Sequence, residues 1–234
     1  AGTQKSGYGM PGGYSVRLES NKLKSNKIKD SNMIRNIVFD YGGVLVDWNP
    51  RYLYDNYFGD TERSQWFIDN ICTNDWNATL DGGKPFDVGV AELTAKHPEW
   101  ADAIAAYRDR WIEMIGGEIP HTADLVRRLK RAGYGVYGLT NWSAETFPKV
   151  RARYGIFDDL DGMVVSGEEH LLKPDARIYR VLLSRYGLKP EESIFLDDNA
   201  ANVEGARAVG MASERFVSAG QAEQLLREKY GIRF

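Results

Sequence analysis

The sequence predicts an α/β protein, a doubly wound parallel sheet carrying an inserted α-helical segment. Three observations lead there. Short apolar strands alternate with helices of roughly 10–14 residues from residue 34 onward. Three of those strands run straight into polar residues, at Asp40, at Thr140-Asn141 and at Asp197-Asp198. Residues 49–114 break the alternation with an aromatic, mostly helical pattern.

Residues 34–39 read as the first strand, ending at Asp40. Within 49–114, helical periodicity covers 51–58, 62–71, 88–96 and 100–115, with Pro98 and the Asp81-Gly82-Gly83 turn separating the pieces. Residues 123–131 form an amphipathic helix with Leu125, Val126 and Leu129 on one face, and Gly133 ends it. A strand follows over 134–139. Residues 144–154 read as a helix that Pro148 kinks or starts late. A brief strand spans 163–165. Pro174 opens a helix over 176–186, with Ile178, Val181 and Leu182 inward. The remaining pattern gives a strand over 193–196, a helix over 200–209, a strand over 212–217 and a last helix over 222–229.

Composition narrows the function classes. The 234 residues are 43% hydrophobic and 27% charged, as in an ordinary globular chain. That length buries roughly 70–75% of the unfolded surface, so the core needs no staples. No run reaches the roughly 18 apolar residues of a membrane helix, and no membrane partner is expected. The single cysteine, Cys72, excludes an internal disulfide framework and a cysteine-cluster zinc site. A net charge of −3 argues against a nucleic-acid partner. Charge is uneven: residues 1–32 carry six basic and two acidic residues. This leader is expected to be disordered or an added extension, Met33 reading as a natural start; a basic arm for an acidic partner is the alternative. The leader lacks the apolar stretch of a secretion signal, so a cytoplasmic location is expected. The expected division is 1–32 extension, 33–48 and 115–234 core, and 49–114 helical cap. A monomer or weak homodimer is expected.

In such a sheet, ligands bind beyond the carboxyl ends of the strands, where the polar residues fall. Each has a local reading too. An Asp after a strand caps turns, and Asp197-Asp198 before Asn199 suits a helix start. Local capping does not explain why acids and a hydroxyl share one rim.

Four motifs, Phe39-Asp40-Tyr41-Gly42-Gly43-Val44-Leu45, Thr140-Asn141-Trp142, Lys173-Pro174-Asp175 and the run from Phe195 to Asn202, resemble in order those of the haloacid dehalogenase (HAD) superfamily. The resemblance covers about 34–48 and 118–217 and implies a Rossmann-like core with a small helical cap. It implies that Asp40 is a nucleophile forming an aspartyl-phosphate, and that Lys173 neutralises it. Thr140 and the Asn141 amide would hold the phosphoryl oxygens, with Trp142 bordering the substrate. The implied cofactor is Mg²⁺, on Asp40, the backbone oxygen of Gly42 and Asp198. Asp197 would bind directly or from just outside, with Asn202 behind it. The implied partner is a small phosphorylated metabolite, with sugar phosphates expected.

One departure matters. The family's phosphatases usually carry a second Asp two residues after the nucleophile, as acid and base; here that position is Gly42. Losing a positioned acid–base group typically costs ~10²–10⁴ in rate. A good leaving group would lessen the need, or Asp47, Tyr41 or a cap residue would stand in. Two rivals follow: a 2-haloacid dehalogenase-type hydrolase, whose first motif also lacks the second Asp, or a non-catalytic module that binds a phosphorylated ligand. The acidic pair Asp197-Asp198 favours a cation, and so phosphoryl chemistry.

Five of six tryptophans fall between 48 and 111. A small helical bundle needs such side chains for its own core; a wall for a sugar ring is the other reading. His97, His121 and His170 show no metal-ligand spacing, and Cys72 reads as a core thiol. Two glycosylation patterns, at Asn77 and Asn141, lack a secretion signal.

Overall fold

The computed structural model describes residues 33–234; the expectation for 1–32 lies outside the described residues. Five parallel strands form the central sheet: β1 (Asn36–Phe39), β4 (Gly135–Thr140), β5 (Gly162–Val165), β6 (Ser193–Asp197) and β7 (Ala212–Arg215). Their order is β5-β4-β1-β6-β7. The chain builds outward from β1 to β5 on one side, then returns to lay β6 and β7 on the other, so β1 is central. A ligand crevice belongs at the carboxyl ends beside that reversal.

The strands are short and apolar because both faces are covered. Side chains alternate between the faces. Ile37 and Phe39 of β1, Val136 of β4 and Ile194 and Leu196 of β6 join a core with Leu125, Val126 and Leu129 of α6 (Thr122–Arg131) and Leu226 of α11 (Ala219–Glu228). Val38, Leu139 and Phe195 face the other way, onto Ile178, Tyr179 and Leu182 of α9 (Ala176–Tyr186) and Ala206 of α10 (Ala200–Ala208). Caps fix several helix starts: Asp175, Asn199 and Ser218 each accept a first-turn backbone N–H. The helix after β4, α7 (Phe147–Arg153), begins at Phe147 with Pro148 in its first turn, where a missing N–H costs nothing.

Between β1 and α6 lies a two-stranded antiparallel ribbon, β2 (Val46–Trp48) with β3 (Ile115–Glu118). Helices α1 (Arg51–Phe58), α2 (Thr61–Asn70), α3 (Asn74–Asp81), α4 (Phe86–Lys96) and α5 (Ala101–Asp109) fill the interval between those strands. Sequence periodicity anticipates α1, α2, α4 and α5 but not α3 or the ribbon, and it runs the fifth helix on to 115 where a 3-10 turn and β3 take over. Most aromatics here pack on one another: Tyr54 stacks on Phe58, Phe67 lies 4.7 Å from Tyr54, and Trp76 meets Tyr107 edge-on at 4.9 Å. Among the described residues no helix is long and apolar enough to cross a membrane. A short helix, α8 (Ser166–Glu169), follows β5.

Candidate active site

The carboxyl ends of β1, β4 and β6 deliver Asp40, Thr140 and Asp197 to one place, and the loop before α9 delivers Lys173. All four are buried. Lys173 organises the group. Its ammonium lies 2.7 Å from Asp40 Oδ1 and 2.7 Å from Asp197 Oδ2, and donates to the Leu139 carbonyl at 3.1 Å. An ammonium has three donors, and all three are committed. Asn141 holds the backbone that carries it: its Oδ1 accepts from the Lys173 N–H at 2.8 Å and its Nδ2 donates to the Lys173 carbonyl at 3.0 Å. One Nδ2 hydrogen is left over for the crevice.

Asp40 Oδ1 also accepts the backbone N–H of Tyr41 at 2.7 Å, which fixes the carboxylate and leaves Oδ2 available. Asp197 is more fully engaged. Besides Lys173 it accepts the Asn199 N–H at 2.7 Å and both oxygens face Asn202 Nδ2, at 3.2 and 3.0 Å. Asp197 thus holds Lys173 in position and has little capacity left for a further partner. Thr140 Oγ1 and Trp142 Nε1 are buried with no hydrogen-bond partner among the described residues. A buried unpaired polar atom costs about 1–3 kcal/mol, so each would gain from a hydrogen-bonding partner.

Charge balance is uneven. Burial raises Asp40's carboxyl, and the adjacent Lys173 ammonium pulls it back down. Burial would drive the Lys173 ammonium down, but Asp40 and Asp197 outweigh it and hold its pKa above the usual value. Asp198, exposed at the rim beside them, is raised by desolvation and then by Asp197. Three carboxylates, with oxygens all within 4.8 Å of one another, face one ammonium. A small divalent cation would balance the set, and the donors are the hard oxygens that Mg²⁺ prefers. The turn after β1 leaves room for it. Gly43 has φ of +74°, and a Cβ there would sit 2.6 Å from Asp198 Oδ2.

Beside this group lies a cavity of about 390 Å³, lined among others by Asp40, Gly42, Asp81, Asn141, Trp142 and Asp198. Trp48 and Trp111 also reach it, and Trp111 meets Trp142 edge-on at 5.6 Å. The aromatics therefore divide between helix packing and crevice wall. A wider cleft of about 460 Å³ beside Arg51, Tyr52 and Arg153 contains none of this machinery.

Two residues considered as stand-ins for the acid at position 42 lie elsewhere. Tyr41 is fully buried, stacked on Phe147 at 5.5 Å. Asp47 accepts from the Tyr52 hydroxyl at 2.5 Å and does not line the cavity. Asp81, read from sequence as part of a turn, is the last residue of α3 and lines the cavity. The available signal was a carboxylate placed directly before two glycines.

Residues 34–210 match the haloacid dehalogenase-like hydrolase family. A sesquiterpene phosphatase of Aspergillus oryzae is 32% identical over 74% of this chain and 85% of its own length. An (S)-2-haloacid dehalogenase of Pseudomonas is 28% identical over 78% of this chain and 84% of its own. Among solved structures, a HAD family enzyme of Bacteroides thetaiotaomicron shares the fold with a TM-score of 0.66 at 19% identity, over 84% of this chain and all of that one. With an ordered set of motifs, a parallel sheet that presents them at its carboxyl ends and a family match across most of its length, the chain belongs to the haloacid dehalogenase-like hydrolases.

Proposed function

We propose that this hydrolase is a Mg²⁺-dependent phosphatase of small phosphate monoesters, sugar phosphates among them, working through an aspartyl-phosphate on Asp40. The observation that carries the reading is the arrangement of Lys173 between Asp40 and Asp197, 2.7 Å from each, with Asp198 alongside. Phosphatases are among the relatives, and the Bacteroides enzyme has been solved with magnesium and inorganic phosphate. In this reading residues 33–48 and 115–234 are the catalytic core, and 49–114 is a cap over the crevice.

A carboxylate approaching a phosphate dianion is repelled, by ~4 kcal/mol per charge pair at 4 Å in an effective dielectric of 20. Lys173 offsets part of this. Mg²⁺, held by Asp40, the Gly42 carbonyl and Asp198 with Asp197 just outside, would supply the remaining positive charge. Asp40 Oδ2 attacks phosphorus, the ester oxygen leaves, and the unpartnered Thr140 hydroxyl and the spare Asn141 N–H donate to the phosphoryl oxygens. Water then releases phosphate and restores Asp40.

The test is phosphate release from a panel of phosphomonoesters with Mg²⁺. Turnover is expected for the native chain and should vanish in Asp40→Asn while Tm is retained. An Asp40→Asn protein with full activity would overturn the assignment. Gly42 and the dehalogenase relatives favour a second reading, attack on carbon in a 2-haloacid. Halide release that is indifferent to EDTA would select that reading instead.

A further inference from the structure

Phosphate ester cleavage leaves a proton unassigned. The departing alkoxide must gain one, and the water that attacks the aspartyl-phosphate must lose one. Position 42 is a glycine and can do neither. The titratable side chains that line the cavity are Asp40, Asp198 and Asp81. Asp40 attacks phosphorus, and Asp198 is placed for the cation. Asp81 has no such task.

Asp81 is held firmly. Its Oδ2 accepts from Asn77 Nδ2 at 2.8 Å, one helical turn back, and Asn77 Oδ1 accepts in turn from the Tyr107 hydroxyl at 2.7 Å. Its backbone carbonyl accepts from Ser166 Oγ at 2.5 Å, and the same Oγ accepts the backbone N–H of Trp142 at 2.8 Å. One residue therefore ties the end of α3 to the loop after β4, next to Thr140 and Asn141. The helical segment thereby contributes a carboxyl, beside Asn77 and Trp111, to a crevice whose other acids come from strand ends.

We propose that Asp81 is the proton donor and acceptor of the reaction, taking the part that position 42 cannot. This assignment rests on the phosphatase reading above. In the first step Asp40 Oδ2 forms its bond to phosphorus, the ester P–O bond breaks, and the proton of the Asp81 carboxyl passes to the leaving oxygen, giving an alcohol. In the second, the Asp81 carboxylate takes a proton from water as the water oxygen bonds to phosphorus and the Asp40–phosphorus bond breaks. Asp81 ends protonated and Asp40 ionised, as at the start. Burial raises Asp81 to about 7; the Ser143 backbone N–H, Asn77 and Lys173 partly oppose it. Both forms are then populated near neutrality, as a group that gives and then takes a proton requires. The charged and titratable groups around it are Lys173, Asp40 and Asp198 on the strand side and Tyr107 behind Asn77. Glu145 sits on the Phe86 N–H, and His170 Nδ1 lies 3.4 Å from the Gly82 carbonyl.

The experiment compares the native full-length chain with Asp81→Asn and Asp81→Glu, in Mg²⁺, on glycerol 2-phosphate and on p-nitrophenyl phosphate. On the alkyl ester, the native kcat/KM should decline as pH rises through about 7. Asp81→Asn should lose ~10²–10⁴ in kcat together with that limb, and Asp81→Glu should regain part of the rate. On the aryl ester, whose leaving group needs no proton, Asp81→Asn should release one nitrophenolate per enzyme in a burst, then turn over slowly because the water that attacks the aspartyl-phosphate lacks its base. An Asp81→Asn enzyme with native rates and pH limb, or with a raised KM and nothing else, would overturn the assignment. Failure of the native chain to hydrolyse either ester would instead overturn the phosphatase reading itself. Asp81→Glu keeps the carboxyl should the amide variant fold poorly, and its loss of the pH limb at native rate would count against the proposal.

Discussion

Lys173 and Thr140 illustrate two kinds of buried polar residue. Lys173 is the sole ammonium between Asp40 and Asp197. Replacing it by Met would strand two carboxylates in a buried place. Breaking a buried ion pair from one side typically costs about 3–5 kcal/mol, so Lys173→Met should unfold at markedly lower temperature as well as lose turnover. Thr140 Oγ1, by contrast, has no hydrogen-bond partner among the described residues. Thr140→Val keeps the shape and removes an unpaired hydroxyl, so Tm should hold or rise while turnover falls by ~10²–10³, the usual loss for one transition-state donor. Calorimetry beside a phosphate-release assay separates the two. A Thr140→Val variant that loses stability would show that the hydroxyl has a structural partner. At this scale the sequence was most legible in placement: Asp40, Asn141, Trp142 and Asp198 line one crevice, while Thr140, Lys173 and Asp197 are buried. Less legible was how they divide the work. The saturation of Asp197 by Lys173, Asn199 and Asn202 depends on distances between two separate chain segments and on how the turn after β6 folds back.

Elements were legible where periodicity is long. The helix α6, with Leu125, Val126 and Leu129 on one face, needs no tertiary context to be read. The ribbon strands β2 and β3 escape because each is only three or four residues long and β3 contains Gly116 and Gly117. Helix α3 escapes because its first turn is Asn74-Asp75-Trp76-Asn77, residues that also make turns, and a single buried leucine, Leu80, gives it no stripe. Its start is set by Thr73, whose hydroxyl accepts the Trp76 N–H at 3.2 Å. That omission hid Asp81. The turn after β1 is a sharper case of element geometry serving the site. At Gly43 the backbone is left-handed and Asp198 occupies the space where a side chain would begin. Gly43→Ala would strain the turn and push Asp198 away. The expected result is at least a tenfold rise in the Mg²⁺ concentration for half-maximal activity, read by titration. An unchanged Mg²⁺ requirement would remove Asp198 from the cation site.

For the whole molecule, the sheet with its two apolar faces supports a crevice in which, among the described residues, three acids face one ammonium. The fold bears this cost because the cores on both faces are well filled, with Phe39, Leu45, Phe195 and Ile37 fully buried. It follows that the cation-free protein should be stabilised by Mg²⁺ in proportion to occupancy, as RT ln(1 + [Mg²⁺]/Kd). The unbalanced acids also give a pH dependence of stability whose sign can be worked out. Burial raises Asp81's carboxyl to about 7 in the folded chain, against an ordinary 3.8. Between those values the folded state holds a proton that the unfolded state has released. Its stabilising contribution is complete below 3.8 and is lost as pH rises through about 7, at ~1.4 kcal/mol per pH unit for a full proton. Exposed acids run the other way: Arg128 and Arg227 hold Glu223 down at about 2, and Arg177 does the same for Asp175. The clean measurement is therefore a difference. Without Mg²⁺, the Tm of Asp81→Asn minus that of the native chain should grow steadily from pH 4 to pH 7 and level off above. A difference that is flat across that range would mean that Asp81 is no harder to ionise in the fold than in the unfolded chain.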